Sequence, residues 1–408
     1  MRTALPNTIL NLSGQVVKEI KHNISSSVIE ITCRRDKRCK AKDPVTNQPG
    51  TINRFVTRKI KDLPLVGQRC ILNIELAEVR NKEGVRRIEH CDFIEKGNYY
   101  TKRFCQFISG LCRYMSIQSV ATHFSLRWET VKNMDKAYLQ KTLPALQPNQ
   151  LKNLKFIGVD EVARAKGHNY MTVVYNLISG ELIWVETGRT SDVFSKFLTQ
   201  LTTECAENIK AIGMDMGLAY QKSVRESLPK ADIVFDRFHV MQAFSKTIDN
   251  QRRIEFRRSD KHGKMLLKGC RFLLLRNREN LNEEQEVKLS TLLEANTNIS
   301  ALYIFKEQLQ KLWSCNTYGD MVDALDKWCD LANQTEMIYL KKFTALLQKC
   351  KEGICNYAKY KLTSARIEAG NVGIGMLRKR ARGIRDTDYF KLKIRQLGLA
   401  EVDSFIYI

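Results

Sequence analysis

The sequence predicts a mixed α/β fold. A strand-and-helix sheet domain carries a large all-helical insertion and is preceded by a helix-turn-helix and a small basic N-terminal domain. Three observations predict it. Short apolar runs in the middle of the chain alternate with amphipathic helical stretches, the C-terminal half is helical in pattern, and residues 99–143 have the cadence of three short packed helices. The 408 residues allow two to four domains at about 100–200 residues each. Hydrophobic residues make up 43% and charged residues 27%, a balance that supports a core and excludes a fully disordered or collagen-like chain. No apolar window of about 18 residues is present, so no membrane partner is expected. The start, MRTALPNTILNLSG, shows no basic region followed by an apolar stretch, so no secretory signal is expected. The net charge of +23 favours a polyanionic partner through release of counterions from phosphates. Twelve cysteines scattered in apolar contexts read as reduced core thiols of a cytosolic protein.

The first region, residues 1–98, is basic. It holds strand-like runs such as SVIEITC and RCILNIELAEV, with loops at KDPVTNQPG and NKEG. Residues 99–143 follow. In TKRFCQFISGLCRYM, Phe104, Phe107, Ile108, Leu111 and Met115 recur at helical spacing. Ser116 caps SIQSVATHF, whose Ile117, Val120, Ala121 and Phe124 face inward. After a break at Ser125–Leu126, WETVKNMDKAYLQK turns Val131, Met134 and Leu139 back onto the first two helices. In a helix-turn-helix that last helix enters the major groove, which puts Arg127, Glu129, Thr130, Lys132 and Asn133 at the DNA-reading end. LPALQPNQLKN, with two prolines, reads as a linker.

The third region, 150–408, opens with KFIGVDEV, an apolar strand ending in acids. NYMTVVYNLISGELIWVETGR is a hairpin around Ser179-Gly180, and SDVFSKFLTQLTTECAEN is one amphipathic helix with Ser191 as its cap. IKAIGMDM is a strand ending in Asp215, GLAYQKSVRESLP a helix, and ADIVFDRFHV a strand ending in Asp236. Three strands, a helix, a strand, a helix and a strand make the order of a ribonuclease-H-like sheet. Its parallel strands, buried on both faces, read as continuous apolar runs. Residues of about 240–360 form the helical insertion.

Asp160 and Asp215 occupy matching places, in IGVD and IGMD. Ligands of open α/β sheets collect at the carboxyl ends of strands. Two carboxylates there repel unless a cation lies between them, and Mg²⁺ suits hard oxygen ligands together with phosphate oxygens. A third acid would complete a two-ion site for phosphoryl transfer. Glu368 is the candidate, on a helix followed by Arg378, Lys379, Arg380, Arg382 and Arg385, cations suited to DNA phosphates.

These residues resemble a family. FIGVDEVARAKGHNYMTVVYNLISGELIWVETGR, IGMDMGLAY, PKADIVFDRFHVMQAFSKTIDNQRRIE, LKGCRFLLLRNRENLNEEQ, LDKW and LTSARIEAGNVGIGMLRKRARGIRD recur in the order found in bacterial insertion-sequence transposases of the ISL-three group, which carry an Asp-Asp-Glu (DDE) core. The resemblance implies a ribonuclease-H-like catalytic domain with Asp160, Asp215 and Glu368 as the three acids, holding Mg²⁺ or Mn²⁺. It implies cleavage and strand transfer of an insertion-sequence element through its terminal inverted repeats, and target DNA as a second partner. It also implies a homo-oligomer, because two DNA ends are paired, and a bacterial cytoplasmic, nucleoid-associated location. Asp236 and His239, in the D-R-F-H step, resemble an accessory motif after the second acid. Trp328 of LDKW resembles a tryptophan of the helical insertion, and as a core aromatic needs no functional role.

The sequence departs from the family in two places. Glu368-Ala369-Gly370-Asn371 keeps the family's Glu-to-Asn spacing, but Gly375 stands where a lysine is common. The family's zinc-binding N-terminal segment has only Cys33, Cys39 and Cys91 (beside His90) to offer. The Cys33–Cys39 gap is wide and His90 and Cys91 are adjacent, so the expectation is an eroded, metal-free finger. Its cations Arg34, Arg35, Lys37, Arg38, Lys40 and Lys42 remain suited to DNA backbone. These departures give the alternative reading, a catalytically weakened transposase-derived DNA-binding protein.

Overall fold

The structure is a computed structural model that describes residues 10–94, 98–143, 151–165, 167 and 169–398. It divides into two compact units, with the division after Leu143. The linker expected at LPALQPNQLKN lies largely outside the described residues. Among those residues no helix is long and apolar enough to cross a membrane.

The first unit holds a sheet of β1 (Gln15–Asn23), β2 (Val28–Arg35), β3 (Thr51–Leu65), β4 (Gln68–Arg80) and β5 (Arg86–Ile88). β4 pairs with β2 in parallel and with β3 and β5 antiparallel, and β1 pairs with β2. The alternation of β2 and β4 buries Ile31, Cys33, Leu72 and Ile74 on one face, the period-two pattern of a sheet covered on one side. Three helices follow: α1 (Lys102–Tyr114), α2 (Ile117–His123) and α3 (Trp128–Thr142). Phe104, Ile108, Val120, Ala121, Val131 and Met134 form their shared core, while Met115, expected at the interface, is exposed. Ser116 caps α2 as its residue type predicts. The break between α2 and α3 is fixed by Ser125, which adopts a left-handed φ of 50°. The sheet and helices are joined by a buried carboxylate. Asp62 on β3 accepts from Thr101 Oγ1 at 2.6 Å, from Arg103 Nε at 2.7 Å, and from Arg103 Nη2.

The second unit is built on β6 (Phe156–Ala165), β7 (Asn169–Asn176), β8 (Leu182–Thr187), β9 (Ala211–Met214) and β10 (Asp232–Phe235). The spatial order is β10-β9-β6-β7-β8. β6, β9 and β10 run parallel, and β7 and β8 are antiparallel to their neighbours. Helices cover both faces, so β9 is buried at every position and carries no polar face.

The single helix expected over SDVFSKFLTQLTTECAEN is two. α4 (Ser191–Leu198) stops, and Thr202 starts α5 (Thr203–Asn208) by accepting from the Cys205 N–H. A side-chain oxygen that satisfies a free helix N–H favours a new start over continuation. The cap position of α4 falls on Thr190 rather than Ser191, and the Ser191 hydroxyl bonds Ser223 instead. α6 (Leu218–Ser227) links β9 to β10.

From β10 the chain passes into helices: α7 (Arg237–Arg258), α8 (Lys261–Leu267), α9 (Arg271–Leu275), α10 (Glu283–Ala295), α11 (Thr297–Lys311), α12 (Tyr318–Asn333), α13 (Ile338–Lys349) and α14 (Lys351–Tyr360). Their centre is Trp328, 3% exposed, edge-on to Phe244, Phe305 and Phe343 with its Nε1 donating to the Phe305 carbonyl. α15 (Ala365–Arg380) and α16 (Thr387–Leu397) return to the sheet. They pack Ile367, Ile374, Leu377, Phe390 and Ile394 against Met171, Val173, Tyr175 and Val185.

Candidate active site

Register places the carboxylates. β6 pairs with β9 only as far as Gly158 opposite Gly213. Asp160 and Asp215 each stand two residues beyond that pair. β10 pairs Phe235 with Met214, so Asp236 is level with Asp215. Three aspartates thus lie across the carboxyl ends of three adjacent parallel strands. The sequence reading ended the first strand at its acids, but β6 runs on to Ala165 because β7 continues to pair with it past Asp160. The parallel neighbour ends there, which opens a cleft beside Asp160.

The side-chain period of two puts Gly158 and Asp160 on one face of β6, the face that receives α15. A Cβ on Gly158 would lie 2.4 Å from Ile367 Cδ1 and 2.7 Å from Leu177 Cδ2. The bare glycine therefore lets α15 settle on the sheet, and the residue after Ile367 is Glu368. One cavity is lined by Asp160, Asp215, Asp236, His239, Ser364 and Glu368. Glu368, 208 residues from Asp160, reaches it through the return of α15.

Each carboxylate has a defined setting. Asp160 Oδ1 accepts from the Glu161 N–H at 2.7 Å, and Oδ2 accepts from Asn371 Nδ2 at 2.7 Å. Burial raises the Asp160 carboxyl above its ordinary value and the Asp215 charge adds to this, against those hydrogen bonds and His239. Asp215 Oδ1 accepts from the Gly217 N–H at 2.9 Å. Asp236 is the N-cap residue of α7 but its side chain makes no cap bond, and its buried Oδ2 has no hydrogen-bond partner among the described residues. His239, one turn into α7, is half-buried and edge-on to Phe238. Glu368 Oε1 accepts from Ser364 Oγ at 2.6 Å. Glu161, next to Asp160, is raised by burial and faces Arg189 at 3.9 Å.

A divalent cation fits the donor chemistry here. Asp160 is desolvated beside a like charge, and Asp236 presents a buried oxygen without a partner among the described residues. Such groups are satisfied by a hard cation. Among the described residues, however, no three His, Cys, Asp or Glu side chains already form a closed ligand cluster. Glu368 is turned to Ser364.

Among the described residues, the candidate zinc ligands Cys33, Cys39 and Cys91 belong to no group of three side chains that could hold a metal ion. Cys33 is buried in β2, its thiol pushed up to about 11 by burial and then by Asp62. Cys39 is exposed. Cys91 is pushed up to about 12 by burial, Glu89 and Asp92. The basic residues of this segment include Arg35, which is buried against Glu89 at 2.8 Å and so faces inward.

In the three-helix segment Arg127, Glu129 and Asn133 are exposed at the start of α3, and Thr130 and Lys132 are half-buried. At the end of α15, Lys379 and Arg382 are exposed, whereas Arg378 Nη1 donates to the Ala163 carbonyl at 2.5 Å and braces the helix on β6. Sequence reasoning gave no role to Asn371 or Tyr175. The i,i+3 spacing of Glu368 and Asn371, which sets both on one side of a helix, was the available signal.

Residues 157–394 match a family profile described as a transposase, and residues 89–139 match the helix-turn-helix domain of transposase family ISL3. The chain is 32% identical to the transposase for insertion sequence element IS1001 of Bordetella parapertussis, over 84% of this chain and 85% of that protein. It is 25% identical to the transposase for insertion sequence element IS1557 of Mycobacterium tuberculosis, over 70% and 69%.

Proposed function

The chain belongs to the ISL3 family of insertion-sequence transposases, and we propose that Asp160, Asp215 and Glu368 are its catalytic acids, on a ribonuclease-H-like core. The observation that carries this reading is the common level of the aspartates at the strand ends, with Glu368 lining the same cavity. The strand order β10-β9-β6-β7-β8 with its two antiparallel strands supports the choice of core.

Asp160, Asp215 and Glu368 would hold Mg²⁺ or Mn²⁺, with Asp236 and His239 beside them. Bound there, the ions would activate an attacking oxygen and stabilise the leaving oxygen in phosphoryl transfer. The protein's own part is positional. The Glu161 N–H and the Asn371 amide each hold one oxygen of Asp160, and the Gly217 N–H holds Asp215. Glu368, which accepts from Ser364, would turn from it to complete the set. Water at the DNA backbone, and then the freed 3′-hydroxyl at target DNA, are the nucleophiles this arrangement would serve.

The helix-turn-helix makes this a DNA-binding protein. We assign recognition of the terminal inverted repeats to α3, through Arg127, Thr130, Lys132 and Asn133. Lys379 and Arg382, with Arg380, would meet DNA phosphates beyond the far end of α15, while Arg378 acts as a brace. Residues 1–98 would add backbone contacts, 99–143 would read sequence, and 150–408 would hold the catalytic core with its helical insertion at 240–360. Pairing two ends calls for a homo-oligomer.

The test is cleavage of a duplex carrying the element's end. Asp160→Asn, Asp215→Asn and Glu368→Gln should each lose divalent-dependent cutting by at least a hundredfold while binding that duplex as the parent does. Cutting retained in any one of them removes that acid from the assignment.

A further inference from the structure

We propose that Asn371 is a positioning residue for Asp160, held in its working orientation by Tyr175. The proposal rests on the reading of Asp160 as a catalytic acid and deepens it.

The geometry is a three-residue relay. Asn371 Nδ2 donates to Asp160 Oδ2 at 2.7 Å, and Asn371 Oδ1 accepts from the Tyr175 hydroxyl at 3.2 Å. A primary amide has one donating and one accepting end and can flip between them. The carboxylate only accepts and so calls for the NH₂ end, and the Tyr175 hydroxyl, donating to the carbonyl at the other end, holds the amide in that orientation. Tyr175 cannot move away. It is 2% exposed, sits on β7 directly opposite Gly158, and its ring fills the space beside Gly370, where a Cβ would come within 2.5–2.7 Å of ring atoms and the hydroxyl. Glycine at 370 thus admits the ring that orients the next residue.

The choice of asparagine follows from charge. Asp160 needs one oxygen fixed without loss of its negative charge, because that charge draws the cation. Lysine or arginine at 371 would fix the oxygen and neutralise it. An amide fixes it and leaves the charge. With the Glu161 N–H on Oδ1, each Asp160 oxygen accepts one hydrogen bond and keeps a further lone pair for a metal. Asn371 lies three residues after Glu368, so the helix that delivers the third acid also sets the first, 211 residues away. Partners of this kind commonly change metal affinity by about 10–100-fold.

The experiment measures Mn²⁺ binding to the full chain without DNA, by the loss of the free-ion electron paramagnetic resonance signal, and separately the Mn²⁺ dependence of end cleavage. Tyr175→Phe keeps the ring against Gly370 and removes only the hydroxyl, so it tests the relay even if Asn371→Ala folds poorly. Both should weaken Mn²⁺ binding about tenfold and raise the Mn²⁺ needed for cleavage, with end binding unchanged. Asn371→Lys should bind Mn²⁺ more weakly than Asn371→Ala. If Tyr175→Phe and Asn371→Ala bind Mn²⁺ as the parent does while Asp160→Asn does not, the proposal is overturned and the acid assignment stands. If Asp160→Asn also binds Mn²⁺ normally, that assignment falls and takes the proposal with it.

Discussion

Gly158→Ala tests whether the site depends on close approach of α15 to β6. The added methyl would lie 2.4 Å from Ile367 Cδ1, 2.7 Å from Leu177 Cδ2 and 3.0 Å from Ile367 Cγ1. Carbon atoms rest at about 3.5–4.0 Å, so Ile367 must retreat by roughly 1 Å, and Glu368 is attached to it. Over-packing of this size costs about 1–3 kcal/mol. Replacing glycine returns about 0.4–1 kcal/mol through the unfolded chain. A net loss of up to about 2.6 kcal/mol should lower Tm by up to roughly 10 °C for a unit of this length. Cleavage of a terminal-repeat duplex should fall further than stability does, because both Glu368 and Asn371 ride on the displaced helix, and end binding should hold. Ile367→Val removes the Cδ1 atom that the methyl strikes. Alone it should cost about 0.5–1.5 kcal/mol, but in the double variant it should recover part of the Gly158→Ala loss, a coupling of at least about 0.5 kcal/mol. Thermal unfolding of the four proteins, with their cleavage rates, completes the cycle. Strict additivity, or Gly158→Ala cutting as fast as the parent, would refute the packing argument.

Two further outcomes follow from the structure. Trp328→Ala should destabilise the second unit by about 3–5 kcal/mol, seen by denaturant unfolding, since it empties a core site ringed by three phenylalanines and strands the Phe305 carbonyl; DNA-end binding by a still-folded sample should not change. Lys391 Nζ lies 2.6 Å from Glu186 Oε1, joining α16 to β8. Burial pushes the Glu186 carboxyl up, but Lys391 and the Thr187 N–H outweigh it and hold it below the ordinary glutamate range. A depressed acid stabilises the fold above its unfolded pKa and loses that contribution as pH falls through the folded value. Lys391→Met should therefore lower stability by up to about 1 kcal/mol at pH 7, as befits a partly screened pair, and the gap from the parent should narrow as pH falls below the ordinary glutamate range. A constant gap across that range would assign the loss to packing.

Much of this protein is legible along the chain. Period-two alternation marked β2 and β4, apolar continuity marked β9, and capping chemistry at Ser116 marked the helix-turn-helix, because each depends on residues close in sequence. The matching IGVD and IGMD steps pointed to Asp160 and Asp215 for the same reason. Local signals misjudged what depended on a neighbour. β6 outran its expected end because β7 pairs with it past the acids, and the helix after Ser191 broke where Thr202 found a free N–H.

Sequence by itself determined where most strands and helices begin, the charge that calls for a polyanion, and which acids were worth watching. Only the tertiary structure decided that Gly158 and Gly213 are register partners, which sets the acids level, and that α15 can descend onto a strand face left bare by glycine. It alone showed that Asn371 bonds Asp160 and Tyr175 bonds Asn371, and that Arg378 is a brace. The physical reason is distance along the chain. Hydrogen bonds and van der Waals contacts act over a few ångströms, and the partners that fix this site are separated by as many as 215 residues, so only folding brings them within range.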